Sequence, residues 1–524
     1  MKCYPISGMG LSGIIILFTA AACVPSKPVT MVSNERTLGT GYISLDQIPA
    51  VEYSFNDRIH HVYTDSVSGL MTIQFRGMRK NGKTIKNNGR IAVFDPEPGE
   101  IVWERPVSYE RDQYHQFNSY LVRYSGRNSV MFDVHTGKRQ RDVSNIFYYY
   151  DSNYNVGMGY RLLQGINRQN MLEGIDFADG SLLWRRPVNR DFSWNDVIGI
   201  NDTTLLVVAG GLHTIDPRNG SGWSYDTRTG KRDYTWSIAA NVIGIAAGLM
   251  TGHYTVTTGY DVITDVVSNV LADDDGILMA SANDLVKLDM QGNTLWQQPL
   301  KGREAGMSFI WYHHDLVCIV NSGSAFMGNY RVATGTPFLA AYDAETGEEV
   351  FKTYIESERR DFIRGFDIDG DTILMVFRDR IARYSVTDGE LLHERETGGL
   401  GNGDLMDFIG DQVFRQEIEG VYYSMAAFDS EHHYVYTNSG MILTFDYDFE
   451  LVDDLSRDDL FILHMAGPGY YLIRNAAESR SVLLDSNLQV LADLNTAADV
   501  FQNGSRLYFI EGHNLVELNL SDVR

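Results

Sequence analysis

The strongest constraint on this chain is a short frame that keeps returning. An apolar run ends in an Asp, a Gly follows three or four residues on, and a large ring follows the Gly by four. Asp95, Gly99 and Trp103 form one copy; Asp176, Gly180 and Trp184 another; Asp343, Gly347 and Phe351 a third. Asp289, Gly292 and Trp296 repeat it one residue shorter. Looser copies begin at Asp133, Asp226 and Ser385, and degenerate ones at Asp446, Asp485 and Leu515 to Leu520. Each part has a physical reason. The residues before the Asp are apolar or β-branched, as in a strand with a buried face. The carboxylate accepts N–H groups of the following turn. The Gly takes the positive φ that closes a short hairpin. The ring then gives the next strand a large packing surface.

A second recurrent element precedes each frame, an acidic or Gly turn leading into an apolar strand, as at Asp273-Asp274-Asp275-Gly276, Asp369-Gly370-Asp371 and Gly410-Asp411. Two hairpins per repeat make a four-stranded blade, and Gly99, Gly137 and Gly180 stand at the spacing of propeller blades. The fold class expected is therefore all-β, a β-propeller. Dividing the chain by such a period gives seven to nine blades, with eight the central value. The frame at Asp216 and Gly220, just ahead of Asp226, shows that one blade can hold two copies.

The frame resembles the tryptophan-docking repeat of quinoprotein propellers, the family of pyrroloquinoline-quinone (PQQ) dehydrogenases. That repeat is shared by the propeller lipoprotein of the outer-membrane β-barrel assembly machinery. The resemblance extends over about residues 50–520 and is specific for architecture rather than activity. In a dehydrogenase it implies PQQ with calcium ligands, a catalytic carboxylate and often a disulfide between adjacent cysteines. The cysteines here are Cys3, Cys23 and Cys318, with no adjacent pair. No catalytic or cofactor-binding residue is carried over.

The N-terminus reads as an address. Lys2, the apolar stretch Gly8 to Phe18, and Thr19-Ala20-Ala21-Ala22 before Cys23 follow the signal-peptide pattern, with residues 1–22 removed. Small residues before a Cys resemble a lipobox, making Cys23 the lipidated first residue of the mature chain; the alternative is cleavage after Ala22 by an ordinary signal peptidase, which leaves Cys23 an unmodified thiol. Residues 23–45 read as a tether, since Pro25 and Pro28 discourage helix. The propeller is expected over 46–524. Position 24 is Val rather than Asp, so outer-membrane attachment on the periplasmic side is expected. One stretch lacks period-two alternation: residues 237–268, rich in Ala and Gly, read as a helical insertion between blades.

Charge narrows the partners. The formal net charge of −24 repels phosphate backbones, which argues against nucleic acid. Three His-His pairs stand out, His60-His61, His313-His314 and His432-His433. Neighbours on a strand face opposite ways, so each pair aims at most one imidazole at a shared point, and no metal site is assigned. Asp367, Asp369 and Asp371 lack the order of a calcium loop, because Gly370 precedes the last Asp; a two-residue hairpin explains them. Cys318, within Leu316 to Val320, reads as a small buried hydrophobe. The function expected is a binding or scaffolding lipoprotein without a cofactor, holding an envelope protein or small ligand at a face or funnel. The competing expectation is a periplasmic quinoprotein oxidoreductase acting on an alcohol or sugar.

Overall fold

Runs such as Leu316 to Val320 and Gly276 to Ala280 are apolar without alternation, which a strand tolerates only if both of its faces are covered. A computed structural model shows how. It describes residues 28–523 except 43–45, 65–66, 126–127, 162–169, 190–193, 226, 228–265, 282, 301–305, 328–329, 356–360, 398–404, 409–414, 419–420, 425–431, 440 and 457–460. Antiparallel four-stranded sheets succeed one another at 59–108, 112–143, 145–187, 196–225, 271–299, 308–354, 365–396, 405–456 and 462–494. These are blades 1 to 9. A tenth holds the last three strands, over 499–519, and takes its fourth strand from Gln47–Phe55 at the other end of the chain. First and last strands thus share a sheet, which closes the ring.

The core is distributed between sheets. Leu206 and Val208 of blade 4 pack on Ile277 and Met279 of blade 5, all almost fully buried. Leu374 and Val376 of blade 7 meet Val435 and Leu443 of blade 8 in the same manner. Tyr53, Phe55 and Tyr508 of blade 10 pack on Ile73, Phe75 and Phe94 of blade 1, so the closing interface is as apolar as the others. First strands of successive blades approach one another, Ile59–Thr64 with Asp112–Phe117 and Gly365–Asp369 with Leu405–Phe408. They are therefore innermost, and the fourth strands form the rim.

Where it is present, the recurring ring joins one blade to the next. Trp103 of blade 1 donates its indole N–H to the Val134 carbonyl of blade 2 at 2.5 Å. Trp184 does so to Pro217 at 2.6 Å, Trp223 to Met290 at 3.0 Å and Trp296 to Ala344 at 3.2 Å. Each indole lies flat on a turn glycine of the neighbouring blade: Gly137, Gly220, Gly292 and Gly347 all have positive φ, and a Cβ there would sit 2.5–2.6 Å from the ring. Phe351 occupies the same place against Gly389. In blade 2, whose frame has no ring, an arginine substitutes. Arg141 lies against Gly180 and donates to the Ala178 carbonyl. In blade 7 the position is His393, whose ring lies 5.2 Å from that of Phe449 in blade 8, and Arg395 beside it donates to the Phe449 carbonyl at 2.7 Å.

Two expectations change. The ring has ten blades among the described residues, not eight or the seven to nine allowed. The degenerate frames at Asp446 and Asp485 and the run Leu515 to Leu520 each belong to a separate blade, and insertions had stretched the apparent period. In blade 4 the third turn is at Asp216 and Gly220, and Asp226 lies outside the described residues. The tether is shorter than 23–45, because Met31–Gly41 is a strand. It pairs with Gln47–Phe55 and, through Gly39 to Gly41, with the outer strand of blade 9. Arg36 bonds Glu52 and Glu511 and holds it in place. The signal peptide, Cys23 and the expected insertion lie outside the described residues, apart from Val266 to Ser268 of the latter; Val266 bridges to Ser281. Among the described residues no helix is long and apolar enough to cross a membrane.

Candidate functional site

In a meander of four strands, the first and third turns fall at one end of the blade and the second at the other. All the Asp-to-Gly turns are third turns and therefore share one end of the ring with the first turns. Their carboxylates are spent on the backbone. Asp133 accepts the N–H of Thr136 at 2.7 Å and its hydroxyl at 2.8 Å, and Asp343 does the same with Thr346 at 2.7 and 2.9 Å. Asp289 accepts Gln291 and Asn293, and Asp485 accepts Asn487 and Gln489. These bonds hold Asp289 (Asn293 foremost) and Asp343 (Thr346 foremost) below the usual carboxylate range. The repeated acid is a turn cap.

Other acids of the same end face water: Asp202, Asp274, Asp315 and Asp371 in first turns, Glu345 and Asp448 in third turns. At the opposite end the blade 1 turn instead exposes Arg79, Lys80 and Lys83. The ring thus carries a marked acidic end. Two hairpins extend it unequally, one at each end. Ser324–Met327 with Tyr330–Ala333 follows the second strand of blade 6, and Arg415–Ile418 with Val421–Ser424 follows the first strand of blade 8.

The three His-His pairs fall in blades 1, 6 and 8 and do not converge. His60 sits beside Arg76 at 3.2 Å, and burial, with Arg76 and Arg58, lowers its pKa to about 4. His61 lies edge-on to Tyr63. His433 is on the second strand of its blade rather than the innermost, 3.1 Å from the Arg383 guanidinium. Among the described residues, His313-His314 is the pair that meets a further ligating residue in a group able to hold a metal ion. The pair closes the first turn of blade 6, and Asp371 closes the first turn of blade 7 beside it. His313 Nε2 lies 3.2 Å and His314 Nε2 3.9 Å from the same Asp371 oxygen. Sequence reasoning paired histidines with each other and missed Asp371. The usable signal was that both turns occupy the same place in adjacent repeats.

The remaining expected residues behave as packing. Cys318 is fully buried between blades 6 and 7, and burial pushes its thiol up to about 12. Asp369 opposes Thr372 across Gly370, whose φ is +55°, which makes this segment the two-residue hairpin expected. Asp369 also accepts the Tyr447 hydroxyl of blade 8, a second link between neighbouring turns. One buried carboxylate had no sequence signal. Glu173 accepts Asn145, Arg161 and Arg185 at 2.9, 2.9 and 2.6 Å. Burial raises its pKa, but these bonds outweigh that and leave it lowered.

A family model described as outer membrane protein assembly factor BamB matches residues 281–426, within blades 5 to 8. No curated protein matches. Among solved structures, BamB from Moraxella catarrhalis is 14% identical, over 72% of this chain and 96% of that one, with a TM-score of 0.32. Dihydro-heme d1 dehydrogenase NirN is 11% identical over 80% and 77%, with a TM-score of 0.32. A eukaryotic initiation factor is 11% identical over 71% and 88%, with a TM-score of 0.34. Four-stranded blades and rings docked on the turn glycines of the next blade make this chain a β-propeller, of which residues 281–426 match a PQQ-like repeat family.

Proposed function

We propose that this propeller is a binding or scaffolding module of the bacterial cell envelope. Cys23 carries a lipid that anchors it to the outer membrane from the periplasmic side, and its acidic end contacts a basic surface of an envelope protein. The observation that carries this reading is the division of labour among the acids. Those of the repeated frame cap turns, whereas the unrepeated ones stand exposed on one end of a rigid ring. Exposed loop residues on a rigid scaffold are where recognition concentrates. A field of one sign speeds and orients encounter with a partner of the other.

Cys23→Ser in cells tests the anchor. The chain is expected to leave the membrane fraction for the soluble periplasm and its N-terminus to lose the lipid mass. Unchanged partition would refute it. Cross-links from the acidic end to an envelope protein are expected to weaken with salt and with Asp202→Asn combined with Asp274→Asn. Purified chain given PQQ and calcium is expected to show no dye reduction with alcohols or sugars. Saturable turnover would replace the binding reading with the oxidoreductase one.

A further inference from the structure

We propose that His313, His314 and Asp371 form a binding site for a divalent ion of the zinc type, bridging blades 6 and 7 at the acidic end. One ligand atom from each residue lies within 4.8 Å of the other two. In a tetrahedral site with bonds of about 2.0–2.1 Å, adjacent ligand atoms stand roughly 3.3 Å apart. The 3.2 Å from His313 to Asp371 already matches that spacing, and the 3.9 Å from His314 needs about half an ångström of closure by two exposed turn side chains.

The backbone explains how two sequence neighbours share one ion. On a strand they would point to opposite faces. His314, however, holds φ at +52°, in the left-handed region that turns favour with Gly or Asn. This conformation brings its imidazole to the His313 ring, with centroids 4.4 Å apart at 63°. His313 itself is half-buried, and its Nε2 finds no hydrogen-bond donor or acceptor in good geometry among the described residues, facing Asp371 instead.

The donor set selects the metal class. Two imidazoles and one carboxylate suit zinc and its transition neighbours, with at least one position left for water, whereas calcium and magnesium prefer oxygen ligands throughout. Asp315 and Asp369 flank the site and add negative field without being needed as ligands. Binding would tie two blades together across their first turns.

The test is titration of the purified full chain, carrying no histidine tag, with Zn²⁺ alone, read by calorimetry and equilibrium dialysis. One tight ion per chain is expected. Its affinity falls about tenfold or more in His314→Ala and in Asp371→Asn. It is unchanged in His135→Ala, an exposed histidine in a third turn of blade 2. His314 and Asp371 are both largely exposed, so unchanged metal-free melting temperatures verify that the variants fold. Co²⁺ is expected to give a visible absorption band in the wild type that His314→Ala abolishes. The proposal is overturned by the absence of saturable binding, by equal affinity in all variants, or by the same loss in His135→Ala.

Discussion

Replacing Gly220 with Ala perturbs two things at once, and a second substitution separates them. Gly220 has φ of +72°, and a Cβ there would lie 2.6 Å from Cδ2 and Cε3 of Trp184 in blade 3. The left-handed backbone costs a non-glycine residue roughly 1–2 kcal/mol. Forcing a methyl into a packed indole adds about 1–3 kcal/mol. Gly220→Ala is therefore expected to destabilise by about 2–5 kcal/mol. Trp184→Ala removes a ring that is 8% exposed and bonds Pro217, at a cost of about 3–5 kcal/mol. Combined, the two substitutions relieve the methyl-on-indole clash, so the double variant is expected to retain about 1–3 kcal/mol more stability than the sum of the singles. Gly370→Ala is the control: φ is +55° with nothing within 4 Å, so backbone strain alone applies. Urea unfolding followed by circular dichroism reads all four variants. Strict additivity of Gly220 and Trp184 would refute docking of one blade's ring on the next blade's turn.

Other predictions follow from burial and charge. His213 is buried, and desolvation, with Arg186 beside it, lowers its pKa from 6.5 to about 4. The unfolded chain therefore binds a proton that the folded chain refuses between those values. This group's contribution is intact above pH 6.5 and declines as pH falls to about 4, by about 3 kcal/mol in all. His213→Gln should flatten the unfolding midpoint across that window, and an unchanged slope would contradict the assignment. Cys318, held as a thiol by burial, is expected to resist alkylation at neutral pH until denaturant unfolds the ring; fast labelling of native protein would place it elsewhere. Arg36→Ala removes the guanidinium that joins the N-terminal strand to Glu52 and Glu511. These groups are partly exposed, so the loss should be about 1 kcal/mol, with faster amide exchange over Met31–Gly41.

The local frame was legible because each of its parts answers a local demand: a cap, a positive φ, a ring. Blade identity followed from repetition of those demands. The number of blades did not, because it was taken from an average period, and inserted hairpins such as Ser324–Ala333 stretch that period without adding a blade. The separate frames at Asp446 and Asp485, counted one by one, were the better guide. The strand Met31–Gly41 was hidden for another reason. Its residues are mostly polar and its face is largely exposed, so its pairing depends on two blades from the far end of the sequence. The meeting of His313, His314 and Asp371 was likewise out of reach of strand periodicity, since it depends on a turn conformation and on contact between neighbouring blades.

Ring closure is the claim on which the architecture rests, and one cross-link reads it. Phe55 donates its N–H to the His513 carbonyl at 2.9 Å, which makes Ser54 and Asn514 the adjacent, non-hydrogen-bonded pair. Such pairs hold Cα atoms about 4.5 Å apart, within disulfide reach. Ser54→Cys with Asn514→Cys is expected to oxidise within one chain, giving a faster band on a non-reducing gel and a linked peptide by mass spectrometry. Free thiols at both 54 and 514 in the folded double variant would mean that the first strand does not complete the last blade.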